Sequence, residues 1–203
     1  MFDDTYQTIE KTSEGLYKDK GSKFIAFAYP VQNEVEVKNK LADLKKQYYD
    51  ARHHCYAYAL GPTRDAFRTN DDGEPSGTAG KPIYGQILSH DLTNILIVVV
   101  RYFGGTKLGV RGLIDAYKTA AADAIGNNTI IGKIVKEAYE LQFEYPLMND
   151  VMRILKEHEL EQVSHDFALS CQIVILVRKN LADEIKQIFS SVYSVKITYK
   201  YTI

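Results

Sequence analysis

The chain has 203 residues, 45% of them hydrophobic and 25% charged, which allows one large globular domain or two small ones, each with its own core. A net charge of −1 excludes a globally basic nucleic-acid binder and leaves room for a local basic patch. Cys55 and Cys171 are the only cysteines and form no Cys-x-x-Cys, so neither a disulfide framework nor a structural zinc site is indicated. The acidic start, Met1-Phe2-Asp3-Asp4, lacks the basic and apolar segments of a secretory signal, and no apolar run is long enough to span a bilayer. The chain therefore reads as soluble, reduced and cytoplasmic, without a membrane partner. Fifteen tyrosines beside no tryptophan are accounted for by strands, where tyrosine packs well and keeps a wet edge.

In chain order, residues 5–17 show short alternations that suggest an opening strand or hairpin. After the turn Lys20-Gly21-Ser22-Lys23, residues 24–31 form a β-like run. Asn33 is an N-cap for a helix through Tyr49, with Val35, Val37, Leu41, Leu44 and Tyr48 along one face. Residues 51–60 read as a strand ended by Gly61-Pro62, and residues 63–80 as a polar loop with Phe67 its main apolar residue. A helix from Gly80–Pro82 to about His90 follows, since proline suits a first helical turn. The β-branched run 94–100 predicts a central strand, and residues 108–125 have helical spacing up to the stop Gly126-Asn127-Asn128. That stop sets a predicted boundary between domains 1–131 and 132–203. Beyond it, strand-like alternation over 135–145, 161–165, 168–177 and 193–201 encloses amphipathic stretches at 146–160 and 179–190. The resulting β-α-β-β-α-β order is the ferredoxin-like, split βαβ arrangement. The predicted fold class is thus α+β, ending in a C-terminal ferredoxin-like domain.

Function concentrates in residues 71–117. Eight of the 13 glycines lie between Gly73 and Gly112, and ordered glycine costs entropy unless a positive φ or a close approach requires it. The second glycine loop, Gly104-Gly105-Thr106-Lys107-Leu108-Gly109-Val110-Arg111-Gly112, joins a predicted strand to a predicted helix. Free N–H groups and the helix dipole favour an anion there. Arg101, Lys107 and Arg111 add charge and Thr106 a hydroxyl, although the spacing is neither a Walker A loop nor GxGxxG. The alternative is structural: Gly104-Gly105 makes a tight turn, and Gly109 and Gly112 let the helix pack closely on the sheet. In the first loop, Gly77, Thr78, Gly80 and Lys81 are candidates to present N–H groups and a lysine to phosphate, with a capping turn as the equal alternative. Asp71, Asp72 and Glu74 carry hard oxygens suited to a divalent ion, but Asp-Gly and Glu-Pro are ordinary turn chemistry and no EF-hand spacing exists.

On a strand, His53 and Cys55 face one way and His54 the other, so the three cannot converge on one ion. His54, Tyr56 and Tyr58 are candidates to line a surface beside the loops. Tyr102 and Phe103 are candidate stacking platforms, with burial an equal reading for Phe103. No catalytic constellation is complete, and no metal or cofactor is expected.

Lys20-Gly21-Ser22-Lys23-Phe24-Ile25-Ala26, Ala51-Arg52-His53-His54-Cys55-Tyr56-Ala57-Tyr58, residues 71–83 and Val100-Arg101-Tyr102-Phe103-Gly104-Gly105-Thr106-Lys107-Leu108-Gly109 resemble the signature of the YigZ/IMPACT family. Val110-Arg111-Gly112 departs from it, since the family more often has small residues before that glycine. The resemblance implies an N-terminal two-layer α/β domain like domain IV of elongation factor G and a second domain like its domain V. It also implies a link to translation, because eukaryotic relatives interfere with activation of a kinase that phosphorylates an initiation factor. The expectation is a non-catalytic regulator of translation or stress response that binds RNA or ribosomes through Gly77, Thr78, Gly80, Lys81, Arg101, Tyr102, Gly104, Gly105, Thr106, Lys107 and Arg111. His54, Tyr56, Asp71 and Glu74 would form the adjoining surface. Two alternatives stand beside it: a module that acts through a protein partner, and a small-molecule enzyme using His54, Asp71 or Glu74 as acid or base.

Overall fold

A computed structural model describes residues 4–167 and 170–203. The acidic residues 1–3, and residues 168–169 at the start of the strand expected over 168–177, lie outside the described residues. The chain divides into two compact units, Tyr6–Lys133 and a second made of Ile134–Ile203 with Asp4 and Thr5. The structure is α+β throughout.

The first unit is built on a five-stranded antiparallel sheet. In chain order its strands are β2 (Ser13–Asp19), β3 (Ser22–Pro30), β4 (His53–Leu60), β5 (Ala66–Asn70) and β6 (Ile95–Tyr102), arranged 2-3-6-4-5. Strand β1 (Thr5–Ile9) pairs separately with β7 (Ile130–Ile134). The central strand β6 is buried from Ile95 to Arg101, and its near-continuous apolar run is what a strand covered on both faces requires. Helices α2 (Gly80–Ser89) and α3 (Gly109–Gly126) cover one face through Ile83, Ile87, Tyr117, Ala120 and Ala124, packed on Phe24, Cys55, Ile97 and Val99. Helix α1 (Glu34–Gln47) covers the other through Val37 and Leu44, which pack with Phe27, Tyr58, Leu96 and Val98. The unit therefore has three layers where two were expected, because β6 alternates apolar residues to both sides and α1 supplies the second cover.

Local chemistry explains the element ends. Asn33 caps α1 by accepting the Glu36 N–H, while the Glu36 carboxylate accepts from the Gln32 N–H, a reciprocal arrangement of the capping-box kind. Strand β5 falls in the stretch read as loop. It alternates little and is half-exposed, so its pairing with β4 comes from the edge position and not from a hydrophobic pattern.

In the second unit, β8 (Lys136–Glu144), α4 (Met148–Glu157), β9 (Glu161–Phe167), β10 (Ser170–Arg178), α5 (Ala182–Ser191) and β11 (Lys196–Thr202) follow the β-α-β-β-α-β order. The sheet order is 11-8-10-9. Its core sets Leu141, Phe143, Ile173 and Ile175 against Val151, Ile154, Leu155, Ile185 and Phe189. Buried Asp4 takes two hydrogen bonds at 2.8 Å from the Arg178 guanidinium, and the Val135 N–H donates to its carbonyl. The Arg178 hydrogen bond is the main reason the Asp4 carboxyl lies below its ordinary range.

Gly15 on β2 lies against α3 so closely that a Cβ there would meet the Ala124 nitrogen at 2.3 Å. Backbone cannot yield as a side-chain tip can, so Gly15→Ala is expected to cost about 3 kcal/mol, the upper part of the overpacking range. Gly132→Ala, with open space around its Cβ, should change stability by less than about 0.5 kcal/mol. Urea denaturation of both variants checks the contrast.

Candidate functional site

The first glycine loop holds an anion of the protein's own. The Asp71 carboxylate accepts from the N–H groups of Gly77 (2.8 Å), Ala79 (3.0 Å) and Gly80 (2.8 Å), and so fills the N-terminus of α2, which has no other side-chain cap. Burial opposes the charged form, but the Gly77, Gly80 and Ala79 N–H groups and the nearby Lys81 outweigh it and hold the carboxyl below its usual range. Thr78 is buried and donates its hydroxyl to the Pro75 carbonyl. Gly80 packs against the Asn70 backbone, where a Cβ would have no room. Gly77, Thr78 and Gly80 are thus committed to holding the loop, and only Lys81 of this group presents an exposed side chain.

The neighbouring acids are spoken for as well. The Asp72 carboxylate accepts from the His54 N–H at 2.7 Å, and its carbonyl lies 2.8 Å from His53 Nδ1. His54 is buried and does not line a surface: it shares the α1 face of the sheet with Tyr56 and Tyr58. Burial is the main reason its pKa is lowered, against the pull of Asp72. The face it occupies follows from strand alternation, and the cover on that face is α1.

On the other face a polar chain crosses the core. The Glu74 carboxylate accepts from Arg101 Nη1 at 2.5 Å and from the Tyr117 hydroxyl at 2.8 Å. The Cys55 sulfur lies 3.3 Å from the Tyr117 oxygen and 3.0 Å from the Asp71 carbonyl. The side chains of Glu74 and Arg101 retain 4% and 7% exposure. The Arg101 guanidinium stands 5.4 Å from the Phe24 ring and 5.6 Å from that of Phe103, and its Nε–H is buried without a hydrogen-bond partner. Burial pushes the Cys55 thiol and the Tyr117 phenol far up, so both stay protonated at neutral pH. Arg101, expected among the free cations, is instead an internal counter-ion. Tyr117 is the member the sequence reading passed over, because its helical spacing already explained it as core.

The second glycine loop is open. Gly104 meets the β2–β3 turn so closely that a Cβ would lie 1.9 Å from the Gly21 carbonyl carbon, and its N–H donates to the Ser22 hydroxyl at 3.1 Å. This contact accounts for Gly104. Gly105 and Gly109 adopt left-handed φ values of 88° and 75° with nothing near the missing Cβ. Helix α3 then starts at Gly109, with Leu108 in the cap position and no side-chain cap. Thr106, Lys107 and Arg111 are exposed around this start, as are Lys20 and Lys23 on the adjoining β2–β3 hairpin. Tyr102 points away to the α1 face, where its hydroxyl donates to Asp50 at 2.7 Å, a bond that heads the causes raising it to about 12. Phe103 is 54% exposed. Between the loop and the Glu74–Arg101 pair lies a cavity of about 390 Å³, walled by Phe103, Val110 and Leu113.

Fold and site together define a two-unit α+β protein whose N-terminal unit carries an uncapped, cation-ringed strand-to-helix loop. The model of the Impact N-terminal domain matches residues 20–125, and the chain belongs to the YigZ/IMPACT family. IMPACT family member YigZ of Escherichia coli is 33% identical over 161 residues, 78% of this chain and 77% of its own length. IMPACT family member YvyE of Bacillus subtilis is 32% identical over 155 residues, 76% of this chain and 71% of its own. A crystal structure of a hypothetical protein aligns at a TM-score of 0.75 and 26% identity, over 98% of this chain and 99% of that one. Among the described residues no helix is long and apolar enough to cross a membrane.

Two outcomes test the local chemistry. Asp71→Ala should lower stability by about 1–3 kcal/mol, as loss of a multiply bonded cap does. Because the folded Asp71 pKa is depressed, its contribution is present above the unfolded carboxylate pKa and lost as pH falls through the folded one. The gap between wild type and variant in urea melts should therefore be widest near neutral pH and close in acid; a gap independent of pH would contradict the capping role. Cys55 and Cys171 are both fully buried, so a thiol reagent at pH 8 should label neither in the native protein and both in denaturant. Rapid native labelling would show that the Cys55 chain opens.

Proposed function

We propose that the chain is a non-catalytic, translation-linked regulator that binds RNA phosphates at the second glycine loop. The observation that carries this is the contrast between two helix starts: the α2 N-terminus is filled by Asp71, whereas the α3 N-terminus is uncapped and ringed by Thr106, Lys107 and Arg111. Unsatisfied N–H groups with flanking cations suit a phosphate. Lys20 and Lys23 extend the charge along the neighbouring hairpin. Contacts of this kind give affinity without base selectivity and weaken as salt rises. The non-catalytic reading is supported by the Cys55–Tyr117–Glu74–Arg101 chain, whose members are paired with one another and whose thiol is held protonated in the core. Family membership supports the link to translation, and with it the reading of the two units as like domains IV and V of elongation factor G.

The test is fluorescence anisotropy with a labelled single-stranded RNA at low and moderate salt. Lys107→Glu/Arg111→Glu, both exposed and remote from the core, should retain the fold by circular dichroism and lose at least about tenfold in affinity at low salt. Absence of binding by the wild type at low salt would overturn the RNA reading and leave the partner protein implied by the eukaryotic relatives.

A further inference from the structure

A second cavity, of about 280 Å³, adjoins the one beside the glycine loop, and Arg101 and Phe103 line both. Its other walls are Asp50, Arg52, His53 and Tyr102. His53 is the first residue of β4 and stands opposite Arg101 in the β4–β6 register. The deciding feature is the state of its ring. Nδ1 lies 2.8 Å from the Asp72 carbonyl, which can only accept, so Nδ1 carries the proton. Nε2 of the neutral ring is thereby fixed as an acceptor. It has no hydrogen-bond partner in the protein and, unlike Nε2 of His54, is not sealed from solvent. Gly73 backs the Nδ1–Cε1 edge of the ring, where a Cβ would come to 3.5 Å and 3.6 Å, so the loop holds one side of the imidazole and leaves the other to the cavity. The Asp50 carboxylate, which accepts from the Tyr102 hydroxyl, adds further acceptor capacity to the same cavity. A phosphate would meet this carboxylate and an acceptor nitrogen, and an apolar group would satisfy neither. A hydroxyl can donate to both kinds of atom.

We propose that this cavity holds a ribose of the RNA strand, its 2′-hydroxyl donating to His53 Nε2, so that the protein selects RNA over DNA. The proposal rests on the RNA-phosphate reading of the second glycine loop and adds recognition of the sugar to it. The 2′-hydroxyl is the group by which a protein tells RNA from DNA at a given position, and it needs a placed acceptor such as this nitrogen. Phe103, half-exposed and shared by the two cavities, offers the base of the same residue an aromatic face. Arg52, exposed at this cavity, supplies a cation for the neighbouring phosphate. Arg101 stays paired with Glu74 and lends the ribose no donor. The hydroxyl has two sources, an internal residue of the strand or the diol at its 3′ end.

The experiment compares three 5′-labelled single strands of one sequence by anisotropy on the full chain at low salt. They are RNA, the same strand with 2′-fluorine at every residue, and a 2′-fluoro strand whose 3′-terminal residue alone is ribose. Fluorine keeps the sugar pucker of RNA and removes the donor. The RNA should bind about three- to tenfold more tightly than the fully fluorinated strand, the contribution of one neutral hydrogen bond. If the third strand keeps that margin, the terminal diol is the ligand; if it loses it, an internal residue is. His53→Asn sets an amide nitrogen near the place of Nδ1, which keeps a donor for the Asp72 carbonyl, and puts nothing at Nε2. It should retain the fold by circular dichroism, remove the margin and leave binding of the fluorinated strand unchanged. Equal binding of RNA and fluorinated strand by the wild type, a result that needs no variant, overturns the ribose site while the phosphate reading stands. A margin that survives His53→Asn does the same. If no strand binds, both readings fall.

Discussion

A buried ion pair at the end of the central strand ties the N-terminal unit together. Glu74 reaches in from the loop after β5, Arg101 comes from β6, and Tyr117 on α3 donates its hydroxyl to the same carboxylate. Two charges out of water are tolerable only when they satisfy each other, and stranding one such charge typically costs about 3–5 kcal/mol. The loop 71–80, the last turn of β6 and the middle of α3 are therefore locked in a single relation. Phe24 and Phe103, with ring centres 5.4 Å and 5.6 Å from the guanidinium, add cation–π contact to the same point.

That lock separates two glycine-rich loops that look alike in sequence and differ in chemistry. In the first, the chain doubles back far enough for Asp71 to accept three N–H groups from the start of α2, so its anion is internal and permanent. In the second, Gly104 is pressed against Gly21 and the chain must climb away through two left-handed glycines, which leaves no residue placed to cap α3. Lys107 and Arg111 remain exposed around this second start. A cavity lies at the same place with Arg101 among its lining residues, so one residue serves both the internal lock and the lining of the open site.

Much of the fold was legible in local patterns. The apolar run of β6, the spacing of α3, the Asn33 cap and the alternation of the second unit each followed from side-chain period and turn chemistry. Strand β5 was not legible, because an edge strand with one half-exposed face leaves no alternating signature. The third layer was missed for a related reason: α1 shows its own apolar face, but which face of the sheet it covers depends on the crossing of the chain. The attachment of Asp4 to Arg178 joins residues 174 positions apart, beyond any periodicity.

The same division holds for the site. Sequence by itself determined that residues 71–117 concentrate glycine, charge and strand-to-helix turns, because those properties belong to residue types and their spacing. Only the tertiary structure decided which charges remain available. Glu74 and Arg101 neutralise each other across 27 positions of chain, Asp71 is held by N–H groups further along its own loop, and His54 is turned inward by alternation beneath α1. Thr106, Lys107 and Arg111 are left exposed around the uncapped start of α3. Charge availability is a property of pairing and burial, and both are set by contacts that no local pattern of residues encodes.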